Sequence, residues 1–239
     1  MKKSILLFFM LLCAGFSSAQ TLKGDVNGDG VVNVADVTEV VGIILNGGDY
    51  RAVDLGLSVR WASCNVGASA PEEAGGYYAW GETEEKDDYS WSTYKYCRGS
   101  SVTMTKYCAD SRSGSIDNIT ALEPEDDVAH VKWGGAWRMP TRAEQDELRT
   151  KCTWVLETLN NVAGYRVTGP NGNSIFLPLA GCRVNASYSS TGTKGQYWSS
   201  SLSDYAGCYA FSWNLYNSNY YDWSNDVRYY GFTVRAVCE

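Results

Sequence analysis

The residues whose types and spacing best suit a chemical role lie in the twelve positions from Asp25 to Asp36. Oxygen-bearing side chains occupy the first, third, fifth, ninth and twelfth positions, and a glycine at the sixth allows the sharp turn that a calcium loop requires. Ca²⁺ takes about six to eight oxygen ligands, and this spacing wraps them around one point, with a backbone carbonyl at the seventh position. The sequence therefore predicts a Ca²⁺ site formed by Asp25, Asn27, Asp29, Val31, Asn33 and Asp36.

A second group of residues is suited to recognition. Nine of the 17 tyrosines lie between residues 185 and 230, interleaved with Ser, Asn, Gly and Trp. This mixture is typical of adaptable binding surfaces, and aromatic faces beside amides also suit sugar rings. The alternative is that the tyrosines cover a twisted sheet, although the run from Asn214 to Asp226 is polar and irregular for an ordinary strand pair. The predicted ligand-binding residues are Tyr205, Trp213, Asn214, Tyr216, Asn217, Tyr220, Tyr221 and Trp223.

Side chains arranged for catalysis are harder to find. His130, the single histidine, has no nucleophile signature nearby and is interpreted as a surface or capping residue. Acidic clusters at 82–88 and 123–127 are interpreted as solvated loops, with a further cation site as the alternative. A hydrolase that uses two carboxylates stays open because carboxylates are plentiful. The balance favours a protein that is not an enzyme.

The first residues indicate export. Lys2 and Lys3 precede an apolar stretch at 5–12 that is too short to span a bilayer, and small residues follow, so we predict a signal peptide at 1–19 cleaved after Ala19. The alternative, a lipid anchor at Cys13, would normally require a small residue where Leu12 stands. We expect a secreted or cell-surface bacterial protein without a transmembrane segment. The formal net charge is −7 and no basic patch is present, so nucleic acid is not an expected partner.

Seven cysteines remain after the predicted cleavage, and an exported protein can form disulfides. Three pairs with one thiol left over is the simplest arrangement, and the repeated Lys-Tyr-Cys at Cys97 and Cys108 favours a local bridge. Several buried free thiols are the alternative.

The elements that must position these residues fall into two patterns. A helix is predicted at 38–45, where apolar residues recur at helical spacing before Asn46-Gly47-Gly48. Beyond residue 50 the pattern is one of short strands, including 53–59, the Asn171-Gly172 hairpin with 174–177, and 228–237. One further helix is predicted to begin at Thr141, which forms a capping box with Glu144. This is an α+β pattern with a small calcium loop–helix segment at 20–49 and one domain at 50–239.

The calcium loop resembles a dockerin type I repeat more than a signalling EF-hand, because Asp36 replaces the usual final glutamate and no entry helix precedes the loop. In the dockerin family two such repeats pack together and bind a cohesin domain. Only one repeat is present here, so the expected partner is a cohesin-like domain or a second dockerin half, unless the segment packs on residues 50–239.

The larger domain carries three motifs in order: 53–67 with Tyr77-Tyr78-Ala79-Trp80-Gly81-Glu82, then Trp137-Arg138-Met139-Pro140-Thr141, then Tyr197-Trp198-Ser199-Ser200-Ser201 with the ending at 231–237. Together they resemble the Fibrobacter major paralogous domain, which is similar to C-type lectins and formylglycine-generating enzymes.

The resemblance implies a C-type-lectin-like fold with short twisted strands, one main helix and both domain ends close together. It also implies core roles for Trp80, Trp137 and Trp198, and carboxylate partners for Arg138 and Arg235. The copper-binding cysteine pair of the related oxidase has no match in this sequence.

These observations predict a secreted calcium-binding protein that recognises a glycan or a protein ligand without catalysis. The alternatives are a cell-surface or cellulosome-like assembly component attached through its dockerin-like repeat, and an accessory protein in polysaccharide degradation.

Overall fold

The computed structural model describes residues 31–34, 37, 50–218 and 220–239. The chain divides into two units, Met1–Glu39 and Val40–Glu239. Several predictions lie outside the described residues: the signal peptide at 1–19, the helix at 38–45, and the calcium ligands Asp25, Asn27, Asp29 and Asp36.

The described part of the larger unit is mainly antiparallel β-structure with few helices, as the α+β prediction requires at this coarse level. Its strands are β1 (Ala52–Val53), β2 (Arg60–Ala62), β3 (Thr153–Leu159), β4 (Val162–Thr168), β5 (Ser174–Pro178), β6 (Cys182–Val184), β7 (Ser187–Ser189), β8 (Lys194–Leu202), β9 (Tyr209–Tyr216), β10 (Tyr220–Val227) and β11 (Val237–Cys238). They form the sheets β1-β2-β11, β3-β4-β5 and β8-β9-β10 and the pair β6-β7. The first of these sheets joins the two ends of the predicted domain, because β2 pairs with both β1 and β11.

The sheet β8-β9-β10 separates two hydrophobic cores. Neighbouring residues on a strand point to opposite faces, and Tyr197 and Trp198 of β8 accordingly belong to different core clusters. Trp198 and Trp80 are fully buried in one of them, and Trp137 is half-buried against Trp133, so their predicted core roles are confirmed.

The polar run from Asn214 to Asp226 is an ordinary antiparallel strand pair, contrary to the sequence-based interpretation. β9 and β10 are paired along their whole length, with Asn214 opposite Asp222 and Trp213 opposite Trp223. Polar residues are accommodated because Ser212 donates a hydrogen bond to Asp226 across the pair. The aromatic and polar side chains alternate along these strands because successive residues point to opposite faces of the sheet.

The hairpin predicted at Asn171-Gly172 is confirmed. β4 and β5 are antiparallel on either side of it, with Thr168 opposite Ser174. Gly172 has φ of 88°, a left-handed conformation that glycine adopts without steric cost.

Helix α2 (Arg142–Lys151) begins where the sequence predicts. Thr141 accepts a hydrogen bond from the Glu144 amide, and the Glu144 carboxylate accepts one from the Thr141 amide, which completes the capping box. The predicted carboxylate partner of Arg138 is also found, because Arg138 binds both oxygens of Glu144 at 2.6 and 2.8 Å.

A second, shorter helix, α1 (Val128–Trp133), was not expected from the sequence. It follows a 3₁₀ turn at Pro124–Asp126, and its N-cap is Asp127, whose carboxylate accepts hydrogen bonds from the amides of Ala129 and His130. His130, in the first turn, is half-buried, with its Nδ1 3.3 Å from the Trp137 carbonyl oxygen. The solvated-loop interpretation of 123–127 is therefore wrong for Asp126 and Asp127, which are both buried.

Two strand predictions are wrong in extent. The first strand ends at Val53 because the Asp54 carboxylate accepts a hydrogen bond from the Gly56 amide at 2.7 Å and turns the chain. The stretch 228–237 makes only isolated bridges before β11.

The prediction that Arg235 pairs with a carboxylate is wrong. Its buried guanidinium donates to the Asn65 side-chain oxygen and to backbone carbonyls of Ala62, Ser63 and Phe176. Arg235 therefore holds these neighbouring segments together through their carbonyl groups, without the regular hydrogen bonds of a β-sheet.

The predicted local bridge between Cys97 and Cys108 is not formed. Both are free thiols, with the Cys97 sulfur near the Trp91 carbonyl at 3.2 Å and the Cys108 sulfur near the Asp110 carbonyl at 3.1 Å.

Candidate functional site

A polar groove of about 540 Å³ lies between two loops that are far apart in the sequence. One wall comes from the loop at 109–112 with Thr120, and the other from the end of β8 and the loop before β9. The lining residues are Ala109, Asp110, Arg112, Thr120, Leu202, Ser203, Asp204, Tyr205, Ala206 and Gly207.

Hydrogen bonds hold the two walls of the groove together. The Gly207 amide donates to the Ser113 hydroxyl at 3.1 Å, and the Leu202 amide donates to the Thr120 carbonyl at 2.8 Å. Ser203 accepts a hydrogen bond from the Tyr205 amide at 3.0 Å and fixes the start of the second loop. The groove is therefore formed before any ligand binds.

A buried arginine joins the walls from beneath. Arg228 is fully buried, and its Nη1 donates to the carbonyl oxygens of Tyr107 at 3.1 Å and Gly207 at 2.8 Å. Its Nε donates to the Tyr94 hydroxyl at 2.7 Å, and its guanidinium lies 4.7 Å from the ring centroid of Trp80. One side chain thus fixes the backbone on both sides of the groove.

Tyr205 stands at the rim of the groove and is 69% exposed. Its ring meets the ring of Tyr209 edge-on, with centroids 5.5 Å apart, which leaves most of its surface available. A tyrosine held in this way offers an apolar face and a hydroxyl group at little entropic cost.

The charged residues of the groove are paired. Asp110 accepts a hydrogen bond from the Arg112 side chain at 3.0 Å, and this bond holds the Asp110 pKa below its usual range. Asp204 faces Arg142 of α2, with the nearest nitrogen 3.7 Å from the carboxylate. Each acidic side chain of the groove therefore faces an arginine.

The predicted ligand-binding residues do not form one face. Trp213 and Asn214 are buried, so the structure contradicts their assignment to an exposed surface. The Trp213 ring packs edge-on against Trp154, with ring centroids 4.8 Å apart. The Tyr221 ring stacks on Trp154, with ring centroids 4.7 Å apart.

The remaining predicted residues are dispersed. Trp223 lines a small pocket beside α2 together with Arg142, outside the groove. Tyr216 is half-buried with the Lys194 ammonium 5.3 Å from its ring centroid, and Asn217 is exposed in the turn that follows. Of Tyr220, only the backbone pairing in β10 is described. Among the predicted residues whose side chains the structure describes, Tyr205 alone lines the groove.

The sequence did not indicate the other polar residues that line the groove with Tyr205. Asp110 and Arg112 lie in a turn-like segment that carries no binding motif, and Asp204 directly precedes Tyr205. The one local feature in the sequence that could have indicated a binding loop is Asp204-Tyr205 among Ser and Gly residues. Its meeting with Asp110 depends on long-range packing.

A second cluster has metal-ligating side chains. Carboxylate oxygens of Glu123, Glu125 and Asp126 lie within 4.8 Å of one another and could hold an ion. The Lys106 ammonium already contacts all three, at 2.7 Å from Asp126. The cluster is therefore neutralised in part by the protein itself. Glu82 in the other acidic stretch is also buried and paired, with Lys86 at 2.7 Å, so it is not a solvated residue.

No protein-family model, curated protein or solved structure matches this chain. Within the described residues, no helix is long and apolar enough to cross a membrane.

Proposed function

We propose that this chain is an exported recognition protein that binds a glycan, without catalysis, in the groove beside Tyr205. The observation that carries the proposal is a preformed polar groove of about 540 Å³ with an exposed tyrosine at its rim. Small-ligand sites combine such a concave surface with a few fixed polar groups. Asp110, Arg112 and Ser203 supply those groups here.

A sugar suits this groove because its two kinds of surface match the two kinds of lining. The C–H face of a pyranose ring can pack on the Tyr205 ring, and its hydroxyls can exchange hydrogen bonds with Asp110, Ser203 and Asp204. The walls are fixed by Arg228 and by the Ser113 and Thr120 contacts, so little entropy is lost on binding.

Charge pairing in the groove favours binding over hydrolysis. A two-carboxylate hydrolase needs one carboxyl group with a raised pKa to act as the acid. Arg112 instead lowers the pKa of Asp110. A pKa raised by burial is found at Asp127, but this carboxylate caps α1, accepts a hydrogen bond from the Met139 amide, and does not line the groove.

We also propose the finer fold assignment, a C-type-lectin-like domain. It is supported by the sheet β1-β2-β11, which brings the two ends of residues 50–239 together, and by the loop-rich stretch between β2 and α1. α2 then serves as the main helix, with its capping box in the predicted motif.

The calcium site at 25–36 is part of the proposal, on the strength of its ligand spacing. Of the predicted ligands, the structure describes Val31 and Asn33, and the Asn33 amide nitrogen lies 3.5 Å from the Val31 carbonyl oxygen. In the proposed site Asn33 would offer its side-chain oxygen and Val31 its carbonyl, so the ion would replace this hydrogen bond. Exposed Val32 and Val34 beside them fit attachment to a cohesin-like domain or a second dockerin half, which would place the recognition domain on an assembly or a cell surface.

The glycan proposal is tested with Tyr205→Ala. Binding of the full chain to a glycan array would first identify bound sugars, and calorimetry would then measure the dissociation constant. Loss of a rim aromatic that carries the contact is expected to weaken binding by about tenfold or more.

The matched control for that experiment is Tyr188→Ala on β7, because Tyr188 is 61% exposed but does not line the groove. We expect this variant to bind as the unmodified chain does. Equal binding by the Tyr205 and Tyr188 variants, or no glycan bound by the unmodified chain, would overturn the proposal.

A further inference from the structure

One arginine next to the groove is held in a fixed orientation by aromatic rings. The Arg142 guanidinium carbon lies 3.7 Å from the ring centroid of Trp223 and 3.9 Å from that of Phe211. These two rings meet at 64°, with centroids 5.9 Å apart, so the guanidinium contacts both. Contact with aromatic faces orients the guanidinium plane and leaves its N–H groups at the edge.

The hydrogen-bonding edge of Arg142 is not used by the protein. Within the described residues its guanidinium donates no direct hydrogen bond, and its nearest carboxylate, Asp204, is 3.7 Å away and 80% exposed. Other arginines in this region are differently placed. Arg149 donates to Asp146 at 2.7 Å, and Arg138 binds Glu144 through two nitrogens.

The position of Arg142 connects it to the groove. Asp204, which precedes Tyr205 in the sequence, lines the groove, and Arg142 faces the Asp204 carboxylate. The Arg142 side chain is 40% exposed and lines the small pocket with Trp223, so a ligand that extends from the groove past Asp204 would meet its edge. A guanidinium edge matches a carboxylate in a planar, two-point arrangement that a hydroxyl cannot provide.

We propose that Arg142, which lies beside the groove across from Asp204, binds a carboxylate of the groove ligand and that this ligand is an acidic glycan containing uronic acids. The inference rests on the proposed glycan-binding function and specifies its ligand class. Tyr205 then contacts the sugar ring, while the uronate carboxylate takes the place that the exposed Asp204 now occupies loosely beside Arg142. Asp110 does not oppose this, because Arg112 neutralises it.

The probe pair is an oligogalacturonate and the same oligomer with its carboxyl groups methyl-esterified. The rings and hydroxyls are the same, and each charged carboxylate is replaced by a neutral methyl ester. Calorimetry with the full chain at constant ionic strength is expected to show tighter binding of the charged oligomer. Arg142→Gln is expected to weaken binding of the charged oligomer by about tenfold or more and to leave binding of the ester unchanged.

The control is Arg149→Gln, seven positions later in the sequence, where the guanidinium is already paired with Asp146. It should alter neither affinity. Near-ultraviolet circular dichroism reports the packing of the aromatic side chains, Trp223 and Phe211 among them, so a variant whose aromatic packing is disrupted is recognised by its spectrum. Arg142→Lys keeps the charge without the planar fork and should recover only part of the preference for the charged oligomer.

The outcomes separate this inference from the general proposal. Equal affinity for both oligomers, or an Arg142→Gln variant that loses both equally, would overturn the role of Arg142 while glycan binding stands. If Tyr205→Ala fails to weaken binding of either oligomer, the groove itself is wrong. If the unmodified chain binds neither oligomer, the uronic acid assignment fails, and the glycan array decides whether the general proposal fails with it.

Discussion

Arg228 and Arg235 are buried cations that bind neutral acceptors among the described residues. Each guanidinium donates several hydrogen bonds to backbone carbonyls on segments that are separated in the sequence. It thereby holds those segments together without the regular hydrogen bonds of a β-sheet. Burial lowers the pKa of Arg235, although an arginine stays protonated in proteins. The energetic cost of burying the charge is offset by carbonyl groups that would otherwise lack partners in the irregular part of the fold.

Asp126 shows the opposite arrangement, a buried carboxylate with several cationic and hydroxyl donors. Its side chain is 3% exposed, and it accepts hydrogen bonds from Lys106 at 2.7 Å, Lys95 at 3.0 Å and the Tyr107 hydroxyl at 2.6 Å. Burial opposes ionisation, but these bonds outweigh it and hold the Asp126 pKa far below its usual range. The carboxylate therefore stabilises the fold in its charged form.

Asp126→Asn is expected to lower the free energy of unfolding by about 2–4 kcal/mol at neutral pH, since it removes one partner of a buried charge cluster. Urea titration measures the change. Because the folded pKa is depressed, the contribution of Asp126 is complete above the unfolded pKa of about 4 and is lost as pH falls through the folded value. The difference between the two proteins should therefore shrink only on acidification.

The control for Asp126 is Glu125→Gln, which removes an exposed carboxylate 3.7 Å from the same lysine. An exposed ion pair contributes little, so the change should stay within about 1 kcal/mol. Equal effects of the two substitutions, or a difference that grows below pH 4, would contradict the assigned role.

At the scale of single elements, α2 depends on its first turn. The Thr141 hydroxyl accepts a hydrogen bond from the Glu144 amide at 3.2 Å and also donates to the Glu144 carboxylate at 3.0 Å. That carboxylate binds Arg138 as well, so one turn fixes the helix start and the strand-like segment before it. Arg142, the proposed ligand-binding residue, directly follows Thr141.

Thr141→Ala is expected to lower the free energy of unfolding by about 1 kcal/mol, the usual cost of losing a threonine N-cap. Thr150→Ala is the control on the same helix, because the Thr150 hydroxyl bonds back to the Asp146 and Glu147 carbonyls of its own helix and alanine is the better helix former. That variant should be neutral or slightly more stable in urea titration. A Thr141 variant as stable as the Thr150 variant would refute the cap's contribution.

The sequence predicted those elements whose signals are local. The capping box of α2 and the Asn171-Gly172 hairpin each depend on residues within four positions of one another. The stretches 54–59 and 228–237 have the alternating pattern of strands. In the structure a turn at Asp54 interrupts the first, and the second makes only isolated bridges before β11. The residues that form these bridges are distant in the sequence and leave no periodic signal.

The same limit applies to the candidate site. Composition indicated Tyr205 as a recognition residue but could not separate it from Trp213 and Asn214, because burial depends on which face of β9 meets the core. Asp110 and Tyr205 line one groove because Arg228 holds the two loops together through the Tyr107 and Gly207 carbonyls. An exposed tyrosine and a buried tryptophan look alike in a Tyr/Trp-rich sequence.

At the scale of the whole molecule, the proposal joins a recognition domain to a calcium-dependent attachment segment. In the sheet β1-β2-β11 the first and last strands lie on the two sides of β2, so both ends of the domain meet in one sheet. The groove loops come from other parts of the sequence. An acidic chain with a net charge of −7 also offers more than one set of carboxylates to a cation. The two candidate sets are the loop at 25–36 and the cluster Glu123, Glu125 and Asp126.

We expect one Ca²⁺ to bind per chain, at the loop. Asp25→Ala with Asp29→Ala should abolish the heat of calcium binding in calorimetry, because two of the side-chain ligands are lost. Glu123→Gln with Glu125→Gln should leave it unchanged, since Lys106 already occupies that cluster. Calcium at about a hundred times its dissociation constant should stabilise the segment that binds it by about 2.7 kcal/mol.

The readout of that stabilisation is circular dichroism with thermal melting of the intact chain, because the apolar residues after the loop need a surface to cover them. Calcium is expected to order residues 24–46 against a neighbour, in this chain or in a second dockerin half, and so to raise helical content. A spectrum and a melting curve that calcium leaves unchanged would contradict the prediction. Binding that survives the Asp25 and Asp29 substitutions but is lost with Glu123 and Glu125 would place the ion at the other cluster, and attachment through the loop would lose its basis.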